Sequence, residues 1–469
     1  MTRPRGREPA TLTFDGAAGT VTGSRYFVQA QGRLVGVDAG LFQGLKALRQ
    51  RNWAIPSFDP ASMDALFITH AHLDHVGYLP RLVRLGYRRP AYCTAPTRDL
   101  AAIILADAAK LQEEEAEFAN RKGFSKHKPA LPLFNRADAA RATMMLKPVP
   151  YERWTEAAGV RARFHDAGHI LGSSFLEMEV DSAGERRTLV FSGDLGRYSQ
   201  PLHTDPDPLP GCDVLVMEST YGDRPHPHRT FAEQATGPIT AALKRGGTVL
   251  IPAFAVARVQ VLSMLVSQMV ADGRLPNVPI HVDSPMATEA TDVYERYRDS
   301  PYLDPEPSGT RDLPFLANVQ FHSTPAESKR LNNLGGPRII FSSSGMLTGG
   351  RVIHHLHRLL PDRRNLILLV GYQAEGTRGR DLLEGARTIR MFGDDVPVGA
   401  EVLAIEGLSA HADVDGLVRW VRTAPRPPGR VFLTHGEPRS AEALAGRLRS
   451  ELHVKVDIPK LGESFALTP

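Results

Sequence analysis

The sequence is poor in cysteine. Only Cys93 and Cys212 occur among its 469 residues, and both stand beside apolar segments with the composition of strands. Such positions favour buried free thiols, because small secreted domains that depend on disulfides use many more cysteines. The same scarcity excludes a zinc site built from thiolates, which requires several cysteines close together.

A long apolar run is also missing. The sequence has no stretch of about 18 consecutive apolar residues, so no transmembrane helix is predicted. Residues 1–9 are basic and polar with no apolar stretch behind them, which is not the layout of a signal peptide. We therefore expect a cytoplasmic protein that does not bind a membrane.

Neither sign of charge dominates the chain. It has 56 basic and 52 acidic residues and a net charge of +4, which permits a polyanionic partner without requiring one. There is no internal repeat, so a solenoid is not indicated. With 42% hydrophobic residues, a chain of this length can form two or three globular domains with substantial cores.

A dense group of potential metal ligands follows the apolar run 65–69. Between positions 70 and 75 the chain reads HAHLDH, which places three imidazoles and a carboxylate within six residues. In an extended segment His70 and His72 point the same way and can bind one ion, while Asp74 and His75 lie further along the loop and can reach a second. Ligands of this kind without thiols suit zinc, with manganese or iron as the alternatives.

Three more predicted strands are each followed by a residue that can bind metal. The strands are 33–37, 160–164 and 188–191, and the residues after them are Asp38, His169 and Asp194. One such residue alone is explained by a turn or by a buried histidine. Together with the histidine-rich segment, they predict a metal site at the carboxyl ends of several strands, where open sheets bind ligands.

These motifs, in this order, resemble the four signature motifs of the metallo-β-lactamase superfamily. Glu218 in 217–222, His411 in 408–413 and His435 in 434–437 resemble the β-CASP branch of that superfamily, whose members cleave nucleic acids. The resemblance extends from about residue 11 to residue 458. It implies an α/β fold, namely a metallo-β-lactamase αββα sandwich with an inserted parallel-sheet α/β β-CASP domain.

The domain boundaries follow from a change of pattern. From position 230 onward helices and strands alternate regularly, which indicates a parallel sheet flanked by helices. We predict the first part of the metallo-β-lactamase domain over 1–222, the inserted β-CASP domain over 223–400 and the C-terminal part of the first domain over 401–469. The chain must return to the first domain because His435 resembles a ligand of the same metal pair as Asp194.

The resemblance also implies a role for each residue of the metal site. Two zinc ions would be bound, one by His70, His72 and His169, the other by Asp74, His75 and His435, with Asp194 bridging them. The predicted catalytic residues are Asp74, Asp38, Glu218 and His411. Asp38 would orient the ligands, and His411, held by Glu218, would give a proton to the departing alkoxide.

A serine-rich segment follows the predicted strand 338–341. Its hydroxyl and backbone N–H groups precede a predicted helix, an arrangement that suits a phosphate, although a capped turn explains the segment equally well. Similar segments recur in the β-CASP family. We therefore predict that Ser344, with Ser343 and Gly345, contacts a phosphate of the substrate backbone.

The function implied is a zinc-dependent ribonuclease. It would hydrolyse phosphodiester bonds of single-stranded RNA by a two-metal mechanism, in RNA processing or decay, as an endonuclease with exonuclease activity left open. His435 favours RNA because the DNA-repair members of the family typically carry valine at that position. The alternatives are a metal-dependent hydrolase of a small molecule or of DNA, and a non-catalytic RNA-binding scaffold. The oligomeric state stays open, with a homodimer as one possibility.

Overall fold

The computed structural model describes residues 8–123, 125–227, 229–304, 318–371, 373 and 376–468. They form two compact units. The first comprises the described residues up to Pro225 and from Ala410 onward, and the second extends from His226 to Ser409. No helix in the described ranges is long and apolar enough to cross a membrane.

The strands and helices are numbered in chain order. The strands are β1 (Thr11–Phe14), β2 (Tyr26–Ala30), β3 (Arg33–Val37), β4 (Ala65–Phe67), β5 (Ala91–Cys93), β6 (Leu146–Pro148), β7 (Thr155–Ala157), β8 (Val160–Asp166), β9 (Ser174–Ser182), β10 (Glu185–Phe191), β11 (Val214–Glu218), β12 (Thr248–Pro252), β13 (Ile280–Asp283), β14 (Val319–His322), β15 (Arg338–Ser342), β16 (Leu366–Val370), β17 (Thr388–Met391), β18 (Asp394–Pro397), β19 (Glu401–Ile405), β20 (Arg430–Thr434), β21 (Val456–Asp457) and β22 (Ser464–Ala466). The α-helices are α1 (Lys46–Arg51), α2 (Leu73–Val76), α3 (Leu79–Arg84), α4 (Ala95–Lys122), α5 (Arg136–Met145), α6 (Phe231–Lys244), α7 (Arg258–Ala271), α8 (Pro285–Arg296), α9 (Pro325–Asn333), α10 (Arg351–Leu359), α11 (Arg378–Leu383), α12 (Val414–Arg422) and α13 (Pro438–Leu452), and Pro60–Ser62 forms a short 3₁₀ helix.

Two sheets form the centre of the first unit. Each has seven strands, in the orders β22-β1-β2-β3-β4-β5-β6 and β21-β20-β11-β10-β9-β8-β7. Apolar side chains of both sheets, among them Phe14, Phe67, Phe164 and Phe191, form one core. A second core joins the other face of the β20 sheet to α12 and α13, while α4 and α5 contact β6 of the first sheet. The predicted αββα sandwich is therefore confirmed.

The second unit is built on one parallel sheet. Its six strands lie in the order β14-β13-β15-β12-β16-β19, and every pair in it is parallel. Strand β16 reads LILLV and is buried along its whole length, as expected for a strand covered by helices on both faces. One apolar core contains residues of α6 and α7, and a second, separate core contains residues of α10. This arrangement is the predicted parallel α/β domain.

The position of β19 differs from the prediction. We placed the return to the first domain at 401, but β19 pairs with β16 from Leu366↔Glu401 to Val370↔Ile405 and thus extends the sheet of the second unit. The chain enters the first unit again at Ala410. An apolar five-residue run identifies a strand but not its partner. Here the partner is β16, whose backbone N–H and C=O groups would otherwise be unpaired at the sheet edge.

Candidate metal centre

The histidine-rich segment leaves the end of β4 and turns into a helix. His70 is fully buried in the turn, and His72 is the residue before α2, with an extended backbone. Asp74 and His75 lie within the four residues of α2 rather than in the predicted loop. The extended backbone at His72 followed by one helical turn lets the four side chains face the same region.

Three imidazoles and a carboxylate form the first group of ligand atoms. Possible ligand atoms of His70, His72, His169 and Asp194 all lie within 4.8 Å of one another. His72 Nδ1 is 3.1 Å from His70 Nε2 and 3.3 Å from His169 Nε2. Nitrogen atoms converge in this way when a cation can share their lone pairs.

A second group adjoins the first. It consists of Asp74, His75 and His435, whose possible ligand atoms again lie within 4.8 Å of one another. His435 follows β20, and its Nε2 is 3.3 Å from Asp74 Oδ2. The separation of 361 positions along the chain shows that the site depends on the return of the chain to the first unit.

Asp194 stands between the two groups. Its Oδ2 atom is 3.4 Å from His70 Nε2 and 3.7 Å from His169 Nε2, whereas its Oδ1 atom is 3.1 Å from His75 Nε2 and 3.6 Å from His435 Nδ1. One carboxylate therefore presents a separate oxygen to each group.

The glycine before Asp194 permits the backbone turn that places the Asp194 carboxylate between the two groups. Gly193 has φ +53°, and a Cβ atom there would come within 2.9 Å of both the Ser174 carbonyl and the Thr69 side chain. Both contacts are closer than real Cβ atoms show. We conclude that glycine is required for the turn that brings Asp194 from the end of β10 into the site.

The protonation of the first group fits a bound cation. Burial, together with nearby histidines, lowers the pKa of His70 to about 3 and that of His169 well below its usual value, and burial lowers the pKa of His72 to about 4. These rings are therefore neutral and offer lone pairs. Burial would raise the pKa of Asp194, but the surrounding histidines outweigh it and keep the carboxylate ionised. Its Oδ1 atom is buried and accepts no hydrogen bond from the described residues. A metal ion would satisfy it.

His411 and Glu218 form a separate pair beside Asp194. His411 Nδ1 lies 3.1 Å from Glu218 Oε1, and His411 Nε2 lies 3.9 Å from Asp194 Oδ2. Burial opposes protonation of His411, but the Glu218 and Asp194 carboxylates outweigh it and raise its pKa to about 9. Glu218 is itself fixed, because its Oε1 accepts a 2.6 Å hydrogen bond from the backbone N–H of Leu195. The pair thus holds a proton close to the metal ligands.

Comparison with known proteins agrees with this geometry. Residues 33–251 match the beta-lactamase superfamily domain, residues 259–382 the Beta-Casp domain and residues 395–459 the Zn-dependent metallo-hydrolase RNA specificity domain. Ribonuclease TTHA0252 of Thermus thermophilus is 39% identical over 454 residues, which cover 96% of this chain and 98% of that protein. The chain belongs to the β-CASP family of metallo-β-lactamase ribonucleases. The predicted family and the predicted class, a metal-dependent hydrolase, are therefore confirmed.

Other β-CASP relatives cover most of the chain as well. The transcription termination factor FttA of Methanocaldococcus jannaschii is 32% identical over 464 residues, 96% of this chain and 70% of that protein. An RNase J-like protein of the same organism is 32% identical over 420 residues, 87% of this chain and 90% of that protein. A crystal structure of a protein of unknown function from Enterococcus faecalis V583 has a TM-score of 0.55 and 15% identity, and covers 98% of this chain and 100% of that one. This last likeness shows the fold alone.

In this β-CASP enzyme Asp38 contacts the candidate ligand His75 on the side away from Asp194. Its Oδ2 atom is 2.7 Å from His75 Nδ1, on the ring edge away from Asp194. Its carboxylate also accepts hydrogen bonds from the backbone N–H and the hydroxyl of Thr69. Asp38 and His435 both have left-handed backbones, with φ of +60° and +46°, a conformation that Asp and His tolerate better than most residues. Such backbones are common at functional sites.

Two threonines of the site were not predicted from the sequence. Thr69 is fully buried between Asp38 and the ring nitrogens of His70 and His75, at 3.2 and 3.4 Å. Thr220 Oγ1 lies 3.1 Å from His435 Nδ1. Each stands one or two positions from a motif residue, and that proximity was the available indication. Hydroxyl groups there can orient imidazoles that would bind metal.

The predicted phosphate contacts lie in the second unit. Ser343, Ser344 and Gly345 form the turn after β15. The Ser344 and Thr348 hydroxyls are 2.9 Å apart, and the Ser343 hydroxyl is buried without a hydrogen bond to any described residue. Gly345 is packed against the backbone of Phe254, which a Cβ atom would approach to 3.3 Å.

Proposed function

We propose that the protein is a zinc-dependent ribonuclease that hydrolyses phosphodiester bonds of single-stranded RNA with two metal ions. The observation that carries the proposal is the position of Asp194, whose two oxygens face two different groups of ligands. One ion alone would leave one of these groups without a function. The His411–Glu218 pair beside them supplies a proton donor, which phosphodiester cleavage also requires.

The ligands divide between two ions. His70, His72 and His169 would hold the first ion, Asp74, His75 and His435 the second, and Asp194 would contact both. Imidazole and carboxylate donors without thiols suit zinc, and the second choice is manganese or iron. When bound, two such ions promote the deprotonation of water and neutralise charge on the phosphoryl oxygens.

His411, Glu218 and Asp38 would transfer a proton or hold another side chain in place. His411 carries a proton on Nε2, the ring nitrogen that faces Asp194, and gives it to the alkoxide that leaves phosphorus. Glu218 accepts a hydrogen bond from His411 Nδ1. This bond fixes the orientation of the imidazole and favours its charged form. Asp38 holds His75 through the opposite ring nitrogen and keeps the ligand in place.

Cleavage of matched RNA and DNA oligonucleotides tests the proposal. We expect the purified protein with zinc to cut an end-labelled single-stranded RNA and to leave the DNA of the same sequence intact. Chelation should reduce the rate by at least about a hundredfold, because both the nucleophile and charge neutralisation depend on metal. The Glu218→Ala variant with metal restored should be similarly slow. Internal products would indicate an endonuclease, and a ladder that grows from one end an exonuclease.

The other outcomes identify the alternatives. Equal cutting of DNA would replace the ribonuclease proposal with a general nuclease. No cutting of either strand by protein with measured bound metal would favour a small-molecule hydrolase. Binding of RNA without cutting would favour the scaffold.

The turn after β15 is proposed to contact a backbone phosphate. Carbonyl groups in the turn and just after it are already used: the Leu347 N–H donates to the Ser344 carbonyl at 3.3 Å, Gln373 to that of Gly345 at 3.3 Å, and Arg378 to those of Leu347 and Thr348 at 3.1 and 3.4 Å. With its acceptors occupied, the turn retains N–H groups and hydroxyls. Such groups bind phosphate oxygens.

Replacing Ser344 by alanine should weaken RNA binding without stopping the chemistry. We expect KM for RNA to rise about fivefold, the effect of one hydrogen bond, with kcat little changed. Ser323→Ala, at an exposed serine of the same unit, is the control. Steady-state kinetics at several salt concentrations measure the effect. A KM equal to that of the control would remove Ser344 from the substrate contacts.

The cellular location, the process and the oligomeric state of the enzyme are also proposals. We propose that the enzyme acts on RNA in the cytoplasm, in RNA processing or decay, and that a homodimer is its simplest assembly. Sedimentation of the purified protein would test the last point directly, because a dimer has twice the mass of the 51.3 kDa chain.

A further inference from the structure

The segment Leu45–Ile55 of the first unit is exposed without an evident structural purpose. It contains helix α1, which has no buried residue. Three large apolar side chains around that helix are exposed: Leu45 by 66%, Trp53 by 51% and Ile55 by 92%. Helices of globular proteins normally bury one face, and most of their stability comes from that packing. Core packing therefore does not explain this segment.

That surface is basic. The segment contains Lys46, Arg49 and Arg51 and no acidic residue. Arg81 lies nearby, with its guanidinium 6.0 Å from the Trp53 ring. Within the described part of the chain, none of these four cations forms an ion pair with a carboxylate. Their charge is therefore not neutralised by the protein itself. We call Lys46, Arg49, Arg51, Trp53 and Arg81 the basic platform.

The platform is held in place although it is exposed. Asn52, next to Trp53, is buried. Its side-chain Oδ1 accepts a hydrogen bond from the backbone N–H of Phe42 at 2.9 Å, and its Nδ2 donates one to the Phe42 carbonyl at 2.8 Å. The Arg51 guanidinium packs over the Phe42 ring at 5.5 Å. A fixed aromatic surface costs little entropy when a ligand stacks on it.

The platform is joined to the segments that carry the metal ligands. The backbone N–H groups of Ala39 and Leu41 donate to the carbonyls of His75 and Leu73, at 2.7 and 2.9 Å. Arg81 lies on α3, the helix directly after α2, which contains Asp74 and His75. The α2–α3 pair therefore supplies both metal-site residues and the platform residue Arg81, and the Asp38 turn is hydrogen-bonded to α2.

We propose that the basic platform binds unpaired RNA outside the metal centre, with a base stacked on Trp53 and phosphates beside Lys46, Arg49 and Arg51. This inference rests on the proposed ribonuclease function and adds a second contact region to it. An exposed aromatic ring among unpaired cations is the arrangement that single-stranded nucleic acid binds, because every base has a stacking face and every nucleotide a negative charge. The charge of the platform is complementary to RNA, whereas a second copy of the chain would bring the same positive charges.

Binding can be measured without cleavage by fluorescence anisotropy. The holoenzyme carrying His411→Ala serves as the parent, with a labelled unstructured RNA and a duplex RNA of the same sequence as ligands. We expect Trp53→Ala to weaken binding of the single strand about tenfold and Trp53→Phe to restore most of it. Duplex binding should change little, because paired bases cannot stack on the ring.

The cations are tested by the salt dependence of the same binding. Lys46→Gln/Arg49→Gln/Arg51→Gln should lower the slope of log K against log salt by about two, as expected when three contacts to a single strand are lost. The control Arg121→Gln/Lys122→Gln/Lys126→Gln removes the same charge from exposed positions of the same unit and should leave the slope unchanged. Melting temperatures verify that all variants are folded.

The outcomes separate this inference from the proposed function. If Trp53→Ala and the triple variant bind single-stranded RNA as the parent does, the platform is not an RNA site. If Trp53→Ala instead turns a dimer into a monomer with RNA binding intact, the surface is a contact between copies and the inference is wrong. If the parent binds RNA through the platform but the wild-type enzyme does not cut it, the inference stands and the ribonuclease proposal fails.

Discussion

Replacing Asp194 by asparagine is expected to abolish RNA cleavage and to release metal. Changes to residues that only support a metal ligand reduce metal affinity or activity about 10- to 100-fold, so the loss of a charge shared by both ligand groups should reduce kcat/KM at least about a thousandfold. Asparagine keeps the shape of the side chain, and Asp194 is almost completely buried, so the change acts through charge. Metal content by mass spectrometry and cleavage of labelled RNA measure the two effects.

The control for Asp194→Asn is a second buried aspartate. Asp138 is also 2% exposed, but it belongs to the capping box of α5 and to no metal-ligand group. Asp138→Asn should retain metal and cleavage even if its melting temperature falls. Normal activity and metal content in Asp194→Asn would disprove the bridging role, and a loss of both in the control would show that any damaged core gives the same result.

Replacing His411 by alanine should slow the reaction while both metal ions stay bound. General acid catalysis contributes about 10² to 10⁴ in rate, and we expect kcat to fall by that factor with little change in KM. The cause is the loss of the proton held on Nε2 beside Asp194. Single-turnover cleavage and metal analysis of the same sample check both parts. Added imidazole should restore part of the rate, which a purely structural defect would not allow.

A double-mutant cycle tests the link between His411 and Glu218. Glu218→Gln can still accept the hydrogen bond from Leu195 but loses the negative charge that raises the pKa of His411. Because Glu218 acts through His411, the double variant should be no slower than His411→Ala alone. Additive losses would assign Glu218 an independent role. His165→Gln, at a buried histidine paired with Glu177, is the control and should cleave at the normal rate.

The sequence predicted those parts of the site that are local or follow strands. The residues from His70 to His75 are contiguous, and Asp38 and Asp194 each follow a strand that was recognised from its apolar pattern. Asp38 and the histidine-rich segment follow β3 and β4, whose ends meet at one edge of the same sheet, whereas Asp194 follows β10 of the sheet packed against it. Thr69 and Thr220 could not be inferred in this way, since a threonine beside a motif has no distinguishing chemistry until its hydroxyl is seen next to His75 or His435.

The amino-acid sequence by itself determined the ligand chemistry, the order of the motifs and the alternation that requires a parallel sheet in the second unit. Only the tertiary structure decided which sheet β19 joins, how the two oxygens of Asp194 divide between the ligand groups, and that Leu45–Ile55 is left exposed. The physical reason is common to all three. Side-chain chemistry and periodicity are properties of neighbouring residues, whereas strand partners, distances of a few ångströms and exposure are set by packing between segments far apart in the chain.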